Sequence, residues 1–554
     1  MTAAGPSTAV SSARRSRAAR SGTAGAHGWH HPAVSATLFH GGRIHVAGRI
    51  SAEALVARDG RVAAVGVAAD LRRAHPDAER VDLRGGLMTA GWHDSHVHFT
   101  WWAIQMDQID LRDDATIDAS LARIETYARR LPAGAWVLGG RFDKNRWGRW
   151  PVAAELDRVT GGRPAALRSR DGHARWLNTA ALRAAGIEAG TAAPAGGAIE
   201  RDASGEPTGI LKENANHLAD RVVPPPTDDE VFAAVERGQR EAHRRGLTAI
   251  EDLEQATAFS AFQRRRDRGE LRLRVAMGIP HAALDAALGL GLRTGLGDEW
   301  VRVGHLKIFT DGALGSQTAA LEEPYAGSDD RGLLTIEPDR LNADVGRAAA
   351  GGIAVAIHAI GDRAVRVALD AIEPTRTAYP GLRQRVEHLQ LLRREDIARF
   401  GALDVIASMQ PIHATSDRDL VERHWGPERA ARAYPWRHLL DRGGRLAFGS
   451  DAPVEPIDPL LGIHAAVARK RPSDRDRWHP EQALELGEAI AAYTSGAAYA
   501  MSAEAERGTL GVGMRCDATI VERDLATTPV DEWPALRVTG TVVDGTVVHA
   551  AGLG

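Results

Sequence analysis

Between residues 91 and 451 the chain repeats one grammar eight times: a short apolar run, then a stretch rich in Ala, Arg and Leu. The runs are Gly91–Phe99, Leu247–Leu253, Leu271–Ile279, Val301–Phe309, Ile353–His358, Arg385–Gln390, Asp404–Met409 and Leu446–Asp451. Glu230–Arg245 and Arg393–Phe400 are helical stretches between them. Strand-like runs alternating with helical ones mark βα units, because parallel strands need a crossover. Eight units predict an α/β fold, a closed (β/α)8 TIM barrel. One interval breaks the rhythm: about 150 residues separate the first two runs. No crossover needs that length. It predicts an inserted cap over the barrel mouth, about 103–228, closing near Pro224-Pro225-Pro226.

The two ends read differently. Residues 34–88 and 505–554 carry short β-like runs with turn signals, including Asp59-Gly60 and Asp544-Gly545 between apolar runs. They predict one β-sandwich domain assembled from both termini, with the barrel (89–504) inserted. Residues 1–33 are rich in Ala, Ser, Gly and Arg, hold no acid and offer little to bury; a disordered tail is expected. Arg14-Arg15 lacks the apolar segment of an export signal. A cytoplasmic location is the expectation.

Composition narrows the chemistry. The formal net charge of −3 argues for neither nucleic acid nor an anionic membrane as partner, and no apolar run reaches the ~20 residues of a membrane span. The single cysteine, Cys516, excludes an internal disulfide and thiolate metal clusters. A metal must then be held by His or carboxylate. Only Lys144, Lys212, Lys307 and Lys470 are lysine, against 65 arginines among 69 basic residues. Each lysine is a candidate for work that arginine cannot do.

Function in a barrel sits at the C-terminal strand ends. The first run contains His96 and His98, which share a strand face with Asp94, while His93, Ser95 and Val97 face away. Paired imidazoles suit a transition metal. Further along, Lys307, His358, Glu387-His388 and Asp451 fall at or near later strand ends. Each has an ordinary explanation alone: Lys307 ion-paired with Asp311, His358 a core histidine, His388 paired with Glu387, Asp451 a cap. Together they put four His, one Lys and one Asp on one mouth, where each would be costly unless paired or coordinated. A lysine that has reacted with carbon dioxide is an anionic carbamate able to bridge two metals; arginine cannot form one.

The order His-x-His, Lys, His, His, Asp resembles the amidohydrolase superfamily of metal-dependent hydrolases. The segments Asp94–His98, Asp171–Asn178, Gly197–Arg201, Lys307–Ser316, His358–Asp362, Glu387-His388 and Gly449–Pro456 resemble the YtcJ-like amidohydrolase 3 family, which includes N-substituted formamide deformylase. The resemblance implies a β-sandwich plus a metal-bearing barrel. It implies His96, His98, Lys307, His358, His388 and Asp451 as the metal and catalytic set. One departure is Ala90-Gly91-Trp92-His93 where the family usually has Pro-Gly-Phe.

The expected reaction is hydrolysis of a C–N bond, of an N-substituted formamide or similar amide. One or two divalent metals, zinc first, would activate a water. Asp451 would move the proton. Asp94 would orient an imidazole, and Asp311 would support Lys307. His173 and Arg170 in the cap, with Trp102 after the first strand, are candidate substrate contacts, His173 as oxyanion stabiliser. Thirteen Trp against six Tyr, with Trp101-Trp102, Trp147, Trp150 and Trp176 near the site, suggest a small apolar or aromatic substrate. A cyclic imide or N-acyl amino acid is the alternative substrate. A non-catalytic regulatory barrel would lack ligands, and none is missing. A homodimer is left open.

Overall fold

The computed structural model describes residues 36–46, 49–253 and 256–554. The expected N-terminal tail lies outside the described residues. Eight parallel strands form the central sheet: β1 (Trp92–Val97), β2 (Leu247–Asp252), β3 (Arg274–Pro280), β4 (Val301–Phe309), β5 (Val355–Ala359), β6 (Arg385–His388), β7 (Ile406–Met409) and β8 (Arg445–Phe448). They are ordered β1 to β8 around the barrel. All eight predicted runs become barrel strands. Four end one to three residues earlier than predicted, and at two of them this moves a site residue off the strand. Asp451 lies three residues past β8, and His98 lies just past β1, capping helix Phe99–Gln105.

No ladder joins β8 to β1 among the described residues. The seam is closed by the segment after β8. Asp451 N–H donates to His96 O at 2.8 Å, and His98 N–H to Ala452 O at 2.9 Å. Ser95 Oγ donates to Phe448 O at 2.8 Å. The hydrogen bonds that close the barrel thus bring Asp451 to His96 and His98.

The β-sandwich draws on both termini. Its six-stranded sheet pairs Leu87–Ala90 antiparallel with Ala518–Val521. Its four-stranded sheet uses only residues before 83. Both Asp-Gly turns form hairpins, with positive φ at Asp59, Gly60, Asp544 and Gly545, as a type I′ turn requires. The insertion after β1 builds a third sheet of six strands, from Ile109–Asp110 to Pro207–Glu213, with its own apolar core around Phe142, Leu167 and Trp176. No described helix is long and apolar enough to cross a membrane.

Barrel and sandwich share a buried ionic contact. Arg274 on β3 is fully buried and meets Asp517 at 2.6 Å and Asp544 at 2.6 Å. Removing one partner of a buried pair leaves an uncompensated charge. Arg274→Met is expected to cost about 3–5 kcal/mol, read as a lower urea midpoint of the first unfolding transition; an unchanged midpoint would refute this role.

Candidate metal centre and active site

Alternation on the strands selects what faces the barrel interior. On β4, His305 and Lys307 are buried and Phe309 is 40% exposed at the mouth. On β6, Arg385 and Glu387 point inward. His305, Arg385 and Glu387 join Glu251 and His96 in one fully buried chain. His305 Nδ1 lies 2.7 Å from Glu251 Oε1, and Arg385 donates to Glu251 Oε2 at 2.6 Å. Arg385 also donates to Glu387 Oε1 at 2.5 Å, and Glu387 Oε2 meets His96 Nδ1 at 2.5 Å. Burial alone would raise the Glu387 carboxyl; Arg385 and His96 outweigh it and hold it well below the usual range. An ionised carboxylate there needs the imidazole proton on Nδ1, which leaves His96 Nε2 as an acceptor.

His96 Nε2 and His98 Nε2 lie 3.4 and 3.6 Å from Asp451 Oδ1. Lys307 Nζ is 3.5 Å from His96 Nε2. His388 gives Nδ1 to Gln410 Oε1 at 2.8 Å and packs edge-on against His96, ring centroids 4.7 Å apart. Asp451 Oδ2 is held by His413 Nε2 at 3.2 Å. His413 Nδ1 lies 3.7 Å from Glu455, which Arg170 reaches from the cap at 2.9 Å. Burial would raise Asp451; hydrogen bonds from His413 and His96 hold it well below the usual range. Burial pulls His388 and His358 well below the usual range. His388 and Asp451 both have left-handed backbones, φ 72° and 59°. Such conformations persist where the surroundings force them, often at functional sites.

Some predicted residues sit elsewhere than expected. Asp94 turns its carboxylate to the seam rather than to an imidazole ring. Its carboxylate accepts from Ser450 N–H at 2.9 Å, Ser450 Oγ at 2.5 Å and the His96 backbone at 3.1 Å, so it ties β1 to the seam. Glu387 orients the imidazole instead. Asp311 does not pair with Lys307. It accepts backbone N–H from Ala320, Ile360 and Gly361, with His358 Nε2 at 3.5 Å. His358 also points Nε2 at Gly312 O, 3.1 Å away, and stands 4.5 Å from the His388 ring. Trp102 packs on Phe99 against the barrel core, while its neighbour Trp101 faces the cavity. Successive side chains of a helix point about 100° apart, so the two neighbours face different surroundings.

Above these groups lies a cavity of about 720 Å³ between barrel mouth and cap. His173 enters it from the cap, its Nδ1 2.8 Å from Glu213 Oε2 and its ring 5.2 Å from that of His358. Burial would lower His173, but the Glu213 charge raises it to about 9. Trp101, Trp150 and Phe309 line the cavity; Trp147 and Trp176 stack with Phe142 inside the cap. The profile of the Amidohydrolase family matches residues 79–549.

The chain belongs to the amidohydrolase family. It is similar to "Putative amidohydrolase YtcJ" of Bacillus subtilis (strain 168), 32% identical and covering 92% of this chain and 99% of that protein. It is similar to N-substituted formamide deformylase of Arthrobacter pascens, 30% identical over 89% of this chain and 94% of that one. An uncharacterized metal-dependent hydrolase from Pyrococcus horikoshii OT3 superposes with a TM-score of 0.74 at 28% identity, over 90% of this chain and 99% of that one.

The donor set of this amidohydrolase fits a metal. Two groups bring three ligand atoms within 4.8 Å of one another: His96, His98 and Asp451, and His388, His413 and Asp451. Two ligands bound at ~2.1 Å on a tetrahedral ion stand about 3.4 Å apart. The His96–Asp451 and His98–Asp451 separations of 3.4 and 3.6 Å match that spacing. His413 and the orienting role of Glu387 were absent from the sequence-based set. His413 lies four residues past β7, in the short helix opened by Pro411, where strand parity does not apply. Replacing Glu387 with Gln keeps the shape but loses the charge that fixes His96. Zinc affinity of Glu387→Gln, measured by chelator competition, is expected to fall about 10–100-fold; unchanged affinity would remove His96 from the ligand set.

Proposed function

We propose that the chain hydrolyses a carbon–nitrogen bond of a small amide, an N-substituted formamide being the favoured class, with zinc as the metal. The observation that carries this reading is the meeting of His96, His98, Asp451 and Lys307 at the floor of a cavity roofed by His173. His96, His98 and Asp451 would hold one ion, with Lys307, His358 and His388 beside it for a second. A bound divalent ion supplies an electrophile for the scissile carbonyl and makes water acidic enough to ionise near neutral pH. Burial lowers the Lys307 ammonium to about 8. A share of the amine is then neutral, the form that combines with carbon dioxide to give a carbamate and a proton.

The protein's own groups divide the remaining work. Asp451, ionised and held by His413, accepts a proton from the attacking water. The carbonyl carbon gains the water oxygen, the C–N bond breaks, and Asp451 returns the proton to the leaving nitrogen. His173, cationic beside Glu213, faces the developing oxyanion. Trp101 and Phe309 offer apolar surface to the substituent on nitrogen.

The test is a panel of formamides, N-acyl amino acids and cyclic imides with zinc-loaded protein. N-benzylformamide is expected to outpace N-methylformamide, and no preference for the bulkier amide would count against the apolar pocket. Asp451→Asn is expected to lower kcat by about 10⁴-fold or more, at or beyond the top of the ~10²–10⁴-fold range of a general acid–base alone, because it also removes a ligand. Lys307→Arg with full activity and full metal content would exclude the carbamate.

A further inference from the structure

The cavity holds a cation whose role the hydrolytic machinery leaves open. Lys144 lies on the cap side, at the start of the short helix Lys144–Trp147, and lines the same cavity as Asp451 and Lys307. It is one of the four lysines of an arginine-rich chain. Its Nζ donates to Gln317 Oε1 at 3.0 Å, a neutral acceptor, and no carboxylate pairs with it among the described residues. An ammonium has three donors, and a half-buried one loses hydration it must recover elsewhere.

A neighbouring lysine provides the contrast. Lys144 and Lys212 both sit over the Trp150 ring, 5.3 and 4.8 Å from its centroid. Lys212 is ion-paired with Glu200; Lys144 has no such partner. The acids whose charge reaches Lys144 are engaged elsewhere. Asp143 caps Asn145 N–H at 2.9 Å, and Asp171 takes the Ser169 and Ser316 hydroxyls, both at 2.5 Å. Gln317, which holds Lys144 in place, has a left-handed backbone with φ 56°, an uncommon conformation for a residue with a side chain.

Resting on the hydrolase reading above, the geometry points to a substrate that carries a carboxylate away from its scissile bond, with Lys144 as the residue that binds this anion beside Trp150. A single ammonium suits a monoanion. A phosphate dianion would call for more than one cation. The substrate class is then an amide of an amino acid or other carboxylated amine, in which an apolar side chain lies along Trp101 and Phe309.

The experiment compares two probes on the full zinc-supplied chain: N-formyl-DL-phenylalanine and its methyl ester. The wild type is expected to favour the acid by about tenfold in kcat/KM, the size of one charge-assisted hydrogen bond. Lys144→Met is expected to collapse the acid-to-ester ratio toward one through KM, and Lys144→Arg to restore part of it. A wild type without preference for the acid, or a ratio unchanged in Lys144→Met, overturns the assignment. If neither probe is hydrolysed, the hydrolase reading fails, and calorimetric binding decides on Lys144 separately. Acid binding weakened about tenfold in Lys144→Met upholds the anion site. Equal affinity, or no binding of the acid to the wild type, overturns it.

Discussion

Arg385 is a guanidinium buried in the middle of the barrel, and the geometry of the mouth depends on its being fully paired. It donates to Glu251 at 2.6 Å, Glu387 at 2.5 Å, Ser95 O at 2.5 Å and Ser408 Oγ at 2.9 Å. A buried ion without such partners costs several kcal/mol, and a half-satisfied network is worse than an apolar core. One cation between two carboxylates leaves one negative charge over. His305 and His96 cap the two outer oxygens and complete the chain. The last member of the network is the imidazole whose Nε2 faces Asp451. Five strands, β1, β2, β4, β6 and β7, contribute to it, so the orientation of His96 is fixed by the barrel as a whole.

The second constraint is the seam. Where other strand pairs run as ladders, β8 and β1 are joined by the segment Gly449–Ala452. The approach is close: a Cβ on Gly449 would lie 2.5 Å from His96 N and 2.7 Å from Asp94 Oδ1. Only glycine allows this contact. Asp94 holds the segment from below, and His413 holds Asp451 from the side. The carboxylate is therefore placed by barrel closure, and its left-handed φ follows from that closure.

Most of the architecture was legible because it rests on periodicity. Alternating apolar runs and helical stretches announce βα units, and an overlong interval announces an insertion, whatever the side chains do in detail. The Asp-Gly hairpins carry their own turn chemistry. What was not legible is pairing across the barrel. Strand parity says that Glu387 and His388 face apart, but not that Glu387 crosses to His96 while His388 takes Gln410. It placed His98 on a strand that has ended by Val97, and it was silent on His413, which sits in a helix. Trp102 was singled out with Trp101, yet helical rotation puts only Trp101 in the cavity. Asp94 looked like a support for an imidazole because it shares a strand with one; its partners come from residue 450, more than 350 positions away.

The charge states around the cavity differ between barrel and cap. The barrel supplies an ionised carboxylate in Asp451 and imidazoles kept neutral by burial in His358 and His388. These groups accept protons or would hold a metal, so any positive charge the protein itself adds beside the metal's must come from another layer. The positive charge comes from His173, on the cap, kept cationic by Glu213. Arg170, also on the cap, reaches Glu455, which stands behind His413 and so behind Asp451. In the proposed reaction the acceptor, Asp451, and the electrostatic stabiliser, His173, thus arrive from different layers of the fold. In the proposed reaction the site is complete only when the cap is seated, and the ion pair between Arg170 and Glu455 links that seating to the position of the proton-carrying carboxylate.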